Sequence, residues 1–147
     1  LFRSEHISFY TRLLEGNYPD TDRLIPTEFN TEATFNVANL RFAMERARLL
    51  SNATQNGTVK LEFKNGVVSS HVHSPEVGRV NEEIDTSAVS GEDLSISFNP
   101  TYLIEALKAI DSEQVVIRFI SSVRPFTLVP EGNEQGFIQL ITPVRTN

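Results

Sequence analysis

The apolar positions along the chain change rhythm in an order that occurs twice. Thr34-Phe35-Asn36-Val37 reads as the end of a strand. Ala38–Leu50 reads as a helix, because Leu40, Ala43, Met44, Ala47 and Leu50 share one face at about 100° per residue. Thr58–Phe63 predicts a strand, and Lys64-Asn65-Gly66 a tight hairpin turn, since Asn-Gly tolerates positive φ. Val67–His73 returns, Val77–Ile84 adds a strand, and Ser90-Gly91-Glu92-Asp93 breaks the run. Leu94–Phe98 then starts the order again, with a helix over Asn99–Ile110 and strands over Val115–Ile120, Arg124–Val129 and Gly136–Thr142. Asn99 is placed to cap that helix, Pro100 suits its first turn, and Leu103, Ala106, Leu107 and Ile110 form its apolar stripe. The dipeptide Phe-Asn stands at 35–36 and 98–99, a period of 63 residues. The predicted fold is therefore α+β, an internally duplicated βαβββ unit with two helices packed on antiparallel sheets.

Two features fall outside this pattern. Phe42 and Leu49 point away from the apolar stripe of the first helix. They are either ordinary exposed apolar residues or part of a subunit or domain interface near Leu49. Residues 1–26 carry strand-like runs, Leu1–Ser4 and Ile7–Leu14, closed by turn residues at Glu15–Asn17 and Tyr18–Asp20. A lone hairpin is marginal in water, so this segment is expected to belong to a larger body, and the start without Met suggests a fragment.

The 147 residues suffice for one domain with a substantial core. No cysteine is present, which removes disulfides, thiolate nucleophiles and thiolate metal sites and makes a reducing cytoplasm the natural setting. No run approaches the roughly 20 apolar residues of a membrane span. A net charge of −6 argues against a surface that coats nucleic acid everywhere, but local placement decides the field at a site.

Catalytic patterns are not found. His71 and His73 share a strand face but lack a third metal ligand. Asp20 and Asp22 suit a turn, and Glu82-Glu83 alternate faces at a solvated edge. No Gly-x-Ser-x-Gly or phosphate loop occurs. No cofactor is expected, and a binding or scaffolding role is favoured over an enzyme. Arg41 and Arg48 lie two turns apart on the first helix, Arg46 on its other flank, and Lys108 on the exposed side of the second helix. They suit a phosphate backbone, although Arg41 equally suits an ion pair with Glu45.

Four motifs in order carry a family resemblance. Leu14-Glu15-Gly16-Asn17-Tyr18-Pro19-Asp20 with Arg23-Leu24-Ile25-Pro26, then Arg46–Asn52, then Phe98–Leu103, then Leu140–Arg145, resemble the bacterial sliding-clamp family, the beta subunits of DNA polymerase III. The resemblance implies that 1–26 are the last strands of a middle domain and that 27–147 form the C-terminal clamp domain. It also implies a non-catalytic role: two subunits close into a homodimeric ring around duplex DNA, without sequence preference. Arg41, Arg46, Arg48 and Lys108 are then candidates to face DNA. A peptide-binding cleft maps onto Pro19, Arg23, Leu24, Tyr102, Val123, Pro125, Leu140, Thr142, Val144 and Arg145. Its implied partners are the polymerase alpha subunit, the clamp loader, translesion polymerases, mismatch-repair proteins and ligase. The ring interface maps onto Leu49 and Leu50, with Glu76 and Glu82 as charged partners.

Overall fold

The computed structural model describes residues 1–12, 15–16, 20–51, 57–74, 78–133 and 136–145. A small ribbon, β1 (Phe2–Arg3) with β2 (Ser8–Phe9), is followed by a 3-10 turn at Thr21–Leu24. The body begins with β3 (Thr31–Asn36), in which Thr31, Ala33 and Phe35 point inward. β3 ends at Asn36, whose side-chain oxygen accepts the Asn39 amide at 3.1 Å and starts α1 (Val37–Ser51). Next come β4 (Val59–Lys64), β5 (Val67–Ser74), β6 (Gly78–Ile84) and β7 (Ala88–Gly91). The second unit has β8 (Leu94–Phe98), α2 (Pro100–Lys108), β9 (Gln114–Phe119), β10 (Phe126–Pro130) and β11 (Gln139–Ile141).

The repeated Phe-Asn has a physical meaning. Each Phe is the last inward residue of its strand and is fully buried, and each Asn caps the next helix. Asn99 accepts the Thr101 amide at 2.9 Å, satisfying a donor that has no partner inside the helix. Replacing it is expected to destabilise the domain: Asn99→Ala should lower urea-unfolding stability by about 1 kcal/mol with an unchanged m-value.

The two repeats exchange strands. One sheet runs β11-β10-β9-β3-β7 and the other β6-β5-β4-β8. Thus β3 of the first unit pairs with β9 of the second, and β8 of the second with β4 of the first, all antiparallel. The chain after β11 extends this symmetry. The Val144 amide donates to the Ser97 carbonyl at 2.7 Å, beside β8, where β7 lies beside β3 in the other sheet.

Several sequence expectations shift. Ser90–Asp93 was expected to break the run, yet Ser90 and Gly91 end strand β7. As an exposed edge strand β7 has no buried stripe, so no alternation marks it. α2 stops at Lys108, although Ile110 still packs inward beyond its end. β10 starts at Phe126, later than expected, and is buried at every position, which erases its period. β11 is shorter than the predicted 136–142.

The inner faces of the two sheets are joined by a chain of aromatic rings. Phe63 meets Phe119 at 4.9 Å, Phe119 meets Phe126 at 5.1 Å, and Phe126 meets Phe98 at 5.1 Å. α1 packs on the inner face of the four-stranded sheet and against α2, which also meets β11. Leu40, Met44, Leu103, Ile104 and Leu107 are sealed beneath them. The predicted stripes hold, except that Leu50 is only half-buried because it stands at the last turn of α1. The β1–β2 ribbon stands exposed: Phe2, Ile7, Phe9 and Tyr10 all face solvent.

Candidate functional site

A groove of about 370 Å³ opens between α2 and β11, lined by Tyr102, Glu105, Ala106, Gln139, Leu140, Ile141 and Thr142. Capping by Asn99 fixes where α2 begins, and the helical period then puts Tyr102, Glu105 and Ala106 on one side. The opposite wall is fixed by register: Ile141 stands across from Phe126 and Leu140 across from Thr127. Ile141 is buried as the floor, whereas Tyr102 leaves 59% of its surface exposed. A large aromatic ring held open beside Leu140 is the composition of an anchor pocket, with Glu105 and Gln139 supplying polar rim atoms.

Three of the expected cleft residues, Tyr102, Leu140 and Thr142, meet in this groove. Pro125 is half-buried just before β10, and Val123 is exposed in the loop that leads to it. Val144 is exposed and held by its backbone against β8, with Arg145 exposed next to it. Arg23 and Leu24 lie on the preceding 3-10 turn and do not line the groove; Arg23 pairs with Asp20 at 2.9 Å. Pro19 lies outside the described residues. The sequence reading missed Glu105, Ala106, Gln139 and Ile141. Glu105 and Ala106 follow Tyr102 at helical spacing, which was the available signal.

The four basic candidates are less free than their spacing suggests. Arg41 Nε is 3.7 Å from Glu45, and the guanidinium lies 5.3 Å from the ring centre of Phe42. Lys108 Nζ binds Glu105 at 2.9 Å. Arg46 forks onto Glu82 of β6, with Nε 3.3 Å from Oε2 and Nη2 on Oε1. Hydrogen bonding to Glu82 raises the Arg46 pKa above its ordinary value, against a lowering by partial burial. Among the described residues, half-buried Arg48 has no carboxylate at ion-pair distance. The helical side is therefore a mixed-charge surface.

Leu49 is the most exposed large apolar residue of α1, at 71%, and half-buried Leu50 adjoins it. Glu82, expected beside them in an interface, is the partner of Arg46 at the β6 edge. Glu76 lies outside the described residues.

His71 is held within its sheet. The two ring nitrogens of His71 are engaged, Nδ1 with Asn81 at 2.7 Å and Nε2 with Ser69 at 2.9 Å. No cluster of metal-ligating groups occurs among the described residues, and no described helix is long and apolar enough to cross a membrane.

A duplicated α+β body with exchanged first strands and both helices gathered together defines a domain of the DNA-clamp class. Residues 22–145 match the family model of the DNA polymerase III beta subunit, C-terminal domain, and the chain belongs to that family. It is 79% identical to the beta sliding clamp of Streptococcus pneumoniae over all 147 residues, which is 39% of that protein. The S. pneumoniae DNA polymerase III beta chain superposes with a TM-score of 0.91 at 78% identity, over 98% of this chain and 38% of that one. The Bacillus subtilis DNA polymerase sliding clamp gives 0.84 at 40% identity, over 92% and 36%. The chain thus spans about 39% of the curated relative's length.

Proposed function

We propose that this chain supplies the C-terminal arc of a ring that encircles duplex DNA and tethers a replicative polymerase to it. Residues 27–147 act as the C-terminal clamp domain, and residues 1–26 are the last strands of a middle domain. The intact protein is a cytoplasmic, non-catalytic homodimer that needs no cofactor. What carries this reading is the duplicated, strand-exchanged body with its two helices side by side, in a chain of the clamp family.

The charge arrangement supports encirclement over grip. A protein held only by counterion release from phosphates loses its grip steeply as salt rises. Here Arg41, Arg46 and Lys108 each face a carboxylate, which tempers their pull on a phosphate backbone. A closed ring holds DNA by topology, so weak and sequence-blind contacts are sufficient.

The groove between α2 and β11 receives short linear peptides. Tyr102, Leu140 and Thr142 form its centre, and Val123, Pro125, Val144 and Arg145 its margins. Pro19, Arg23 and Leu24 extend it beyond these lining residues, from the preceding segment. The peptides belong to the polymerase alpha subunit, the clamp loader, translesion polymerases, mismatch-repair proteins and ligase. Leu49 and Leu50 close the ring against another subunit, with Glu76 and Glu82 nearby.

The test is loading of the intact protein by its clamp loader onto nicked circular and linear DNA. A ring stays on circles at elevated salt and runs off linear ends. Equal retention on both would overturn encirclement and leave a protein-interaction module.

A further inference from the structure

The place where the chain enters the domain is held from three directions. The Asn30 amide donates to the Phe119 carbonyl at 2.8 Å, and its side chain donates to the Ile120 carbonyl at 3.0 Å. The Asn30 carbonyl accepts the Glu92 amide at 3.1 Å, while the Thr31 hydroxyl donates to the Glu92 carbonyl at 2.8 Å. The end of β7 comes so close that a Cβ on Gly91 would lie 1.9 Å from the Asn30 oxygen, and Gly91 has a φ of +100°. No other residue type fits there without backbone movement.

The third hold is a side chain on the outer face of the sheet. Arg118 on β9 donates from Nε to Glu32 at 2.6 Å, its cross-strand neighbour. That bond fixes the guanidinium, which lies 5.6 Å from the ring centre of Phe29. Phe29 is outside any strand, so Arg118 reaches beyond its own ladder to hold the incoming chain. Five residues separate Leu24 from Asn30, so the joint limits Arg23 and Leu24 to within about 20 Å of it.

We propose that Phe29, Asn30 and Arg118 form a fixed joint that sets the direction of the preceding segment, and that they are thereby positioning residues for the Arg23–Leu24 side of the peptide groove. The second half rests on the groove reading above; the joint itself does not.

The two halves are tested separately. Spin labels placed by Thr11→Cys and Asp111→Cys in the intact protein, with any cysteine outside this chain replaced, report the distance across the joint. The unaltered joint gives a narrow distance distribution, and Phe29→Ala and Arg118→Ala each broaden it. Affinity for a fluorescein-labelled short peptide bearing leucine and phenylalanine falls about fivefold in both variants. Arg118→Lys falls similarly, because an ammonium lacks the planar face that lies on the ring. A plain cross-strand pair would lower the unfolding midpoint of Arg118→Ala and leave the distances narrow, which overturns the joint. A broad distribution in the unsubstituted protein also overturns it. Broadened distances with unchanged peptide affinity overturn the positioning role alone. No peptide binding by the unsubstituted protein removes the groove reading and the positioning role, while the distances still decide the joint.

Discussion

Phe119→Ala is expected to lower the unfolding free energy by about 4 kcal/mol, the largest effect of any single truncation here. Phe119 is fully buried and sits between Phe63 at 4.9 Å and Phe126 at 5.1 Å. Phe63 belongs to the four-stranded sheet, while Phe119 and Phe126 belong to the five-stranded one. Removing the ring therefore loses burial, opens a cavity and cuts the aromatic link between the sheets at once. The surrounding strands are pinned by their ladders, so collapse into the space is limited. Phe119→Leu keeps most of the volume and should cost about 1.5 kcal/mol. Urea unfolding of the protein checks both. A Phe119→Ala midpoint equal to that of the parent would mean that the two sheets do not share a core.

The second large effect concerns association. Leu49→Lys is expected to raise the dimer dissociation constant of the intact protein about 100-fold or more. Leu49 is 71% exposed, so its replacement leaves the core alone, with a change in fold stability within about 0.5 kcal/mol. A lysine in the last turn of α1 also agrees with the helix dipole, whereas an aspartate there would confound the result. In the proposed ring, however, the added ammonium has to give up its water where Leu49 was covered, which is costly without a paired carboxylate. Analytical ultracentrifugation should show monomers at concentrations where the proposed ring reading makes the parent dimeric. An unchanged dimer, with circular dichroism also unchanged, would remove Leu49 from the ring interface.

The groove and the charged helix face illustrate different degrees of legibility. Tyr102 is named in the sequence only by the family resemblance, but the cap at Asn99 and the stripe through Leu103, Ala106 and Leu107 account for its facing outward. Leu140 and Thr142 have no such local account. Their position depends on β11 pairing with β10, a contact that no local pattern announces. The cations show the reverse. Their spacing on α1 is plain, yet Arg46 meets a carboxylate 36 residues away. A helical wheel finds the Arg41–Glu45 pair and is blind to the Arg46–Glu82 pair. β7 is obscure because an edge strand has no buried face to impose alternation, and the segment at Val144 forms no strand and is tied to β8 by a backbone hydrogen bond.

By itself the sequence determined the duplication, both helices with their buried faces, the Asn-Gly hairpin and the outward leucine on α1. Apart from the duplication, which is read by comparing two stretches, all of these are local: a periodicity, a cap or a turn acts within about one or two helical turns and needs no distant partner. Only the tertiary structure decided that the repeats exchange their first strands, that Gly91 presses on Asn30, that Arg118 reaches Phe29, and that β11 walls a groove with α2. Each of these joins residues far apart along the chain, where strand pairing and close packing choose the neighbour and composition says nothing of the choice.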